Sequence, residues 1–98
     1  MVARYNVYVV LLSDDVGPGL NQDFPSVYVG QSARTPKDRF QQHKSGYKAS
    51  RYVRDYGIRL IPGLYREINP LFSDEREEVE EELARQLRSE GYTVYGGH

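Results

Sequence analysis

Residues 5–12, YNVYVVLL, limit the fold more than any other stretch of this chain. β-branched and aromatic residues fit a pleated strand, and the unbroken apolar run at its end has no polar face to turn towards water. The strand is therefore buried on both faces towards its end, and other elements must cover it on both sides. A second, shorter run of the same kind, Val27 to Gly30, follows a segment at 13–26 rich in Gly, Pro, Asn and Asp, which reads as a long loop insertion.

Helical signals come next. Thr35-Pro36-Lys37-Asp38 offers an N-cap, a first-position Pro and an early acid, predicting a helix from about Pro36 to Lys44 that stops at Gly46. A second helix, about Ala49 to Tyr56, puts Ala49, Tyr52, Val53 and Tyr56 on one stripe and ends at Gly57. Residues 58–68 read as a third strand broken at Pro62-Gly63. Ser73 caps a helix from Asp74 to about Ser89, Gly91 stops it, and YTVY forms a last short strand before a flexible tail at 96–98. The expected architecture is one α/β (α+β) domain over residues 1–98, a small three-stranded antiparallel sheet flanked by helices.

Composition narrows the function classes. The chain has 98 residues, 39% apolar and 28% charged, which suits a single globular core. It contains no Cys, so disulfides and thiolate zinc sites are excluded. No apolar run approaches the ~20 residues of a membrane span, and the N-terminus lacks a signal-peptide cleavage pattern, so a cytoplasmic protein with no membrane partner is expected. The net charge of −1 conceals a division: residues 34–59 carry eight basic against two acidic side chains, and residues 74–90 carry eight acidic against three basic. Screening acts over about 10 Å, so a phosphate meets the local surface rather than the total. Two solvated helix faces of opposite sign would give the same count.

Several side chains carry possible chemistry. Tyr8 and Tyr28 occupy matched places in the first two strands; an antiparallel pairing would bring both rings to one end of the sheet, though Tyr also suits half-buried strands without further purpose. Arg39 and His43 stand four apart on one helix face, where a guanidinium fork matches phosphate oxygens and an imidazole handles protons near neutral pH; an ordinary surface Arg and a C-terminal His would look the same. On the last helix Val79, Leu83 and Leu87 define the buried stripe. At about 100° per residue, Glu80 falls on its shoulder while Glu78, Glu81 and Glu82 fall away from it. A carboxylate so placed needs a partner, either Arg76 one turn back or a hard divalent cation.

Together, Tyr8 within Asn6-Val7-Tyr8, Tyr28-Val29-Gly30, Arg39 with His43, and Glu80 followed by Leu83 and Leu87 resemble the GIY-YIG nuclease family over nearly the whole chain. The resemblance implies the three-stranded antiparallel sheet and divalent-metal-dependent cleavage of DNA phosphodiester bonds with Mg²⁺ or Mn²⁺. Carried over by position, Tyr8 helps activate water, Tyr28 holds the phosphate or assists that proton transfer, and Arg39 stabilises transition-state charge. His43 supports proton transfer, and Glu80 holds the metal. Gly30 and Gln31 would meet the substrate, and Lys44, Lys48, Arg51 and Arg54 would supply DNA-backbone contacts with weak sequence preference. Specificity would then come from DNA structure, a homodimer or a partner protein. Asn6 stands for the family's first Gly, the 13–26 loop is longer than the usual connection, and the family's C-terminal Asn has no evident counterpart. A non-catalytic nucleic-acid-binding module of the same fold is the alternative, and an adaptor using the acidic helix is a third.

Overall fold

The computed structural model describes residues 4–19, 23–72 and 74–97. Its centre is β1 (Arg4–Leu12), whose residues Val7, Tyr8, Val9 and Val10 are all buried. β1 pairs antiparallel with β2 (Ser26–Ser32), with Tyr8 opposite Gly30 and Val10 opposite Tyr28. Because opposite residues in such a pair share a face, Tyr8, Val10, Gly30 and Tyr28 all lie on one side of the sheet.

The mixed α/β class is as expected, but the sheet is larger and not wholly antiparallel. Among the described residues it has five strands, with β3 (Gly57–Leu60) and β4 (Leu71–Phe72) both on the far edge of β1 and β5 (Thr93–Gly96) beside β2. β5 runs parallel to β2, because the helix before it returns the chain across the sheet. β4 is a two-residue pairing with Arg4 and Tyr5, too short to leave a periodic trace in the sequence. The broken third strand proves to be β3 alone; beyond it Pro62–Leu64 forms a 3₁₀ turn. Between β3 and β4 the edge of β1 is closed by Ile61, whose N–H donates to the Val9 carbonyl, and by the Asn69 side chain.

Among the described residues, three α-helices cover the faces. α1 (Pro36–Ser45) starts and stops as the sequence predicts: the Thr35 hydroxyl accepts from the Asp38 N–H, and Gly46 turns left-handed at φ 88°. α2 (Arg51–Tyr56) begins two residues later than expected, since Ser50 serves as the N-cap, its hydroxyl accepting from the Tyr52 N–H. α3 (Arg76–Glu90) also starts late, with Glu75 at the cap position and its carboxylate turned back to accept from the Phe72 N–H. Ser73, the expected cap, lies outside the described residues, as do residues 20–22 of the 13–26 segment. That segment contains a 3₁₀ turn, Asp14–Val16, capped by Ser13.

α1 and α2 lie on the tyrosine-bearing face, where His43 and Val53 are buried. α3 buries Leu83, Ala84 and Leu87. A side chain on Gly97 would meet Ala84 and Val29, which places α3 over the opposite, valine-lined face. Gly97 itself is buried and Gly96 pairs with Val29, so the expected flexible tail is packed through residue 97; His98 lies outside the described residues. No helix among the described residues is long and apolar enough to cross a membrane.

Candidate active site

The register of β1 against β2 sets the site. Tyr8 and Tyr28 are diagonal neighbours, with ring centroids 6.3 Å apart. Gly30 is what permits this: a Cβ there would stand 2.5 Å from the Tyr8 hydroxyl oxygen and 2.6 Å from Cζ. Asn6, where the resembled motif has Gly, is in regular strand pairing opposite Ser32, and its amide donates to the Arg34 carbonyl at 3.2 Å.

α1 brings His43 against both rings, at centroid distances of 6.0 Å to Tyr8 and 5.9 Å to Tyr28. The Tyr8 hydroxyl oxygen and His43 Nε2 are 2.8 Å apart, and the Ser50 N–H donates to His43 Nδ1 at 2.9 Å. The ring is only 1% exposed. Burial, and then the nearby Arg39 charge, lower the His43 pKa to about 4, so it is neutral near pH 7.

Burial pushes the Tyr8 phenol well above its usual range, with Tyr28 and Glu80 adding to the rise; the Arg39 charge opposes it. Tyr28 is also raised by burial, opposed by a hydrogen bond from the Ser50 side chain and by Arg39, while Glu80 raises it further. Both phenols are therefore protonated at rest, and both lie within the field of Arg39 and Glu80.

Arg39 does two jobs. Its guanidinium donates to the carbonyls of Tyr47 at 3.3 Å and Lys48 at 2.8 Å and to Gln42 Oε1 at 3.2 Å. It thus holds the loop after α1 while remaining beside Tyr8. Glu80 is 5% exposed although its neighbours Glu78, Glu81 and Glu82 are all exposed, as the helical spacing predicts. With Gln31, Glu77 and Glu81 it lines a pocket. Gln31 belongs to the end of β2 beyond Val29, the last residue paired to β5. Arg76 has its guanidinium carbon 4.2 Å from the centroid of the Tyr5 ring.

The expected DNA contacts divide. Lys44 is committed elsewhere: its ammonium donates to the carbonyls of Gly57 at 2.9 Å, Arg54 at 3.1 Å and Val53 at 3.4 Å, capping the end of α2. Lys48 and Arg51 are exposed and lie over the rings of Tyr47 and Tyr52. Arg54 is exposed and paired with Asp55 at 2.9 Å.

Two residues were missed by sequence reasoning. Ser50 donates to His43 and acts on the Tyr28 phenol, and its only signal is the cap position that a later helix start would have revealed. Asn69 is bonded to Val7 beside Tyr8, a partnership with no local signature.

A single-carboxylate Mg²⁺ site is chemically reasonable at Glu80, because Mg²⁺ commonly takes one or two carboxylates and fills the rest with water and phosphate oxygens. Among the described residues no group of three or more His, Cys, Asp or Glu is arranged to hold a metal by itself. Comparison of the chain with models of protein families, with curated proteins and with solved structures gives no match, so its function must be argued from the geometry above.

Proposed function

We propose that the protein is a divalent-metal-dependent endonuclease that hydrolyses DNA phosphodiester bonds with weak sequence preference, a module of the GIY-YIG kind. The observation that carries this reading is the gathering of Tyr8, Tyr28 and His43 around Gly30, with the charges of Arg39 and, from the α3 side of the sheet, of the buried Glu80 acting on both phenols. Charge-stabilising groups fixed in advance in a poorly solvated site are what phosphoryl transfer chiefly requires.

Each residue then has a task. Tyr8 contacts the attacking water, and Arg39 favours its ionised form while also facing the charge that develops on the phosphate. Tyr28 holds a phosphate oxygen. Lys48 and Arg51 meet the DNA backbone. Glu80 would hold Mg²⁺ or Mn²⁺, which supplies Lewis-acid stabilisation of phosphate charge and makes ionisation beside it easier.

One observation favours a binding module without catalysis: Arg39 already spends donors on the Tyr47 and Lys48 carbonyls. Nicking of supercoiled plasmid in Mg²⁺, Mn²⁺ or chelator separates the two readings. Cleavage that needs metal and falls at least 100-fold or so in Tyr8→Phe and Glu80→Ala is expected. Equal inertness of wild type and both variants, with DNA binding intact, leaves only the binding module.

A further inference from the structure

Ser50 occupies a place that no motif assigns. It follows the loop 46–49, in which Lys48 adopts φ 44° and the carbonyls of Tyr47 and Lys48 are held by Arg39. As N-cap of α2 its own N–H has no partner within that helix. That N–H is aimed back at α1 and meets His43 Nδ1 at 2.9 Å.

A backbone N–H can only donate, so Nδ1 must present its lone pair. A neutral imidazole carries one proton, which must then sit on Nε2. Nε2 is 2.8 Å from the Tyr8 hydroxyl oxygen, and there the imidazole is the donor and the phenol oxygen the acceptor. For Tyr8 to donate its proton to Nε2, the ring proton would have to move to Nδ1 and face the Ser50 N–H head-on. His43 is almost wholly buried and packed between two tyrosine rings, so neither water nor ring rotation readily relieves that clash.

We infer that the backbone N–H of Ser50 fixes His43 as its Nε2–H tautomer, so that His43 positions the Tyr8 oxygen by donating to it and does not take the Tyr8 proton. His43 is then a positioning residue, and the proton-transfer role expected of it falls to Tyr8. The Arg39 charge acts in the same sense, favouring the ionised form of the Tyr8 phenol. The Ser50 side chain also acts on Tyr28, opposing the rise of its phenol pKa.

What this means for catalysis rests on the nuclease reading, whereas the tautomer itself does not. ¹⁵N-histidine NMR of the full chain at neutral pH, with the ring signals assigned by comparison with His43→Gln, reads the tautomer directly. A protonated Nε2 and bare Nδ1 are expected; a protonated Nδ1 in the wild type overturns the inference whatever the variants do. Ser50→Pro removes the N–H at a residue whose φ of −67° proline accepts, whereas Ser50→Ala retains it. The proline variant should lose the pure Nε2–H state and slow nicking roughly tenfold or more, and the alanine variant should keep the wild-type tautomer. A folded proline variant with an unchanged tautomer overturns the assignment to Ser50. The expected tautomer in a wild type that never nicks DNA would instead sink the nuclease reading alone.

Discussion

Gly30 shows how much of the site depends on a missing methyl group. An alanine Cβ there would press on the hydroxyl and Cζ of Tyr8, at 2.5 and 2.6 Å, atoms of a buried ring with nowhere to retreat. Gly30→Ala should therefore shift the phenol, break its contact with His43 and cut nicking by about 100-fold. Its stability cost should be only about 1–3 kcal/mol, as for other overpacked sites. Nicking rates and urea denaturation measured together check both halves. His43 gives a pH signature. Its pKa is about 4 in the folded protein against 6.5 ordinarily, so the unfolded chain binds the proton first as pH falls. The stability this contributes is fully present above pH 6.5 and is lost as pH drops through 4, a change on the order of 3 kcal/mol. Wild type should lose more stability than His43→Gln between pH 7 and pH 4; parallel losses would show that His43 is not held neutral.

The helices divide according to how local their causes are. The ends of α1 were legible because Thr35, Pro36, Asp38 and Gly46 act within one turn of themselves. Glu80 was legible for a similar reason, since its angle to Leu83 and Leu87 is fixed by the helix alone. The start of α2 was not, because Ala49 fits the apolar stripe as well as Ser50 fits the cap. Lys44 shows a different limit: in a sequence, an ammonium that caps a helix looks the same as one awaiting a phosphate. That difference can be measured. Lys44→Met should lower stability by about 0.5–1 kcal/mol through loss of the cap at the end of α2. The salt dependence of DNA binding should stay unchanged in that variant. Lys48→Ala and Arg51→Ala should each reduce the slope of log K against log salt by about 0.9 and leave stability nearly untouched. The opposite pattern would put Lys44 back on the DNA.

At the scale of the whole molecule, charge and topology are arranged together. The basic segment forms the layer over the tyrosines and the acidic helix forms the layer behind the sheet, which is why a net charge of −1 says little about a phosphate partner. The sheet joining the layers owes its extra strands to partners far apart in sequence. β4 finds β1 across more than half the chain, and β5 reaches β2 only after α3 has crossed the sheet. No local pattern encodes such pairings. Asn69 is the sharpest case: it lies 62 residues from Val7, yet its Oδ1 accepts from the Val7 N–H at 2.8 Å and its Nδ2 donates to the Val7 carbonyl at 2.7 Å. The amide imitates one rung of a β-ladder where neither β3 nor β4 reaches. Val7 is fully buried, so water cannot replace either bond. Asn69→Ala should leave both groups unsatisfied and cost about 2–4 kcal/mol. Asn69→Asp keeps the acceptor for the Val7 N–H but sets a carboxylate against the Val7 carbonyl, and should be no better. Because the break lies in the central strand, one residue from Tyr8, the loss should appear as a lower urea midpoint with an unchanged m-value, one cooperative unit becoming less stable. A variant that unfolded near the wild-type midpoint would show that the ladder does not need this rung.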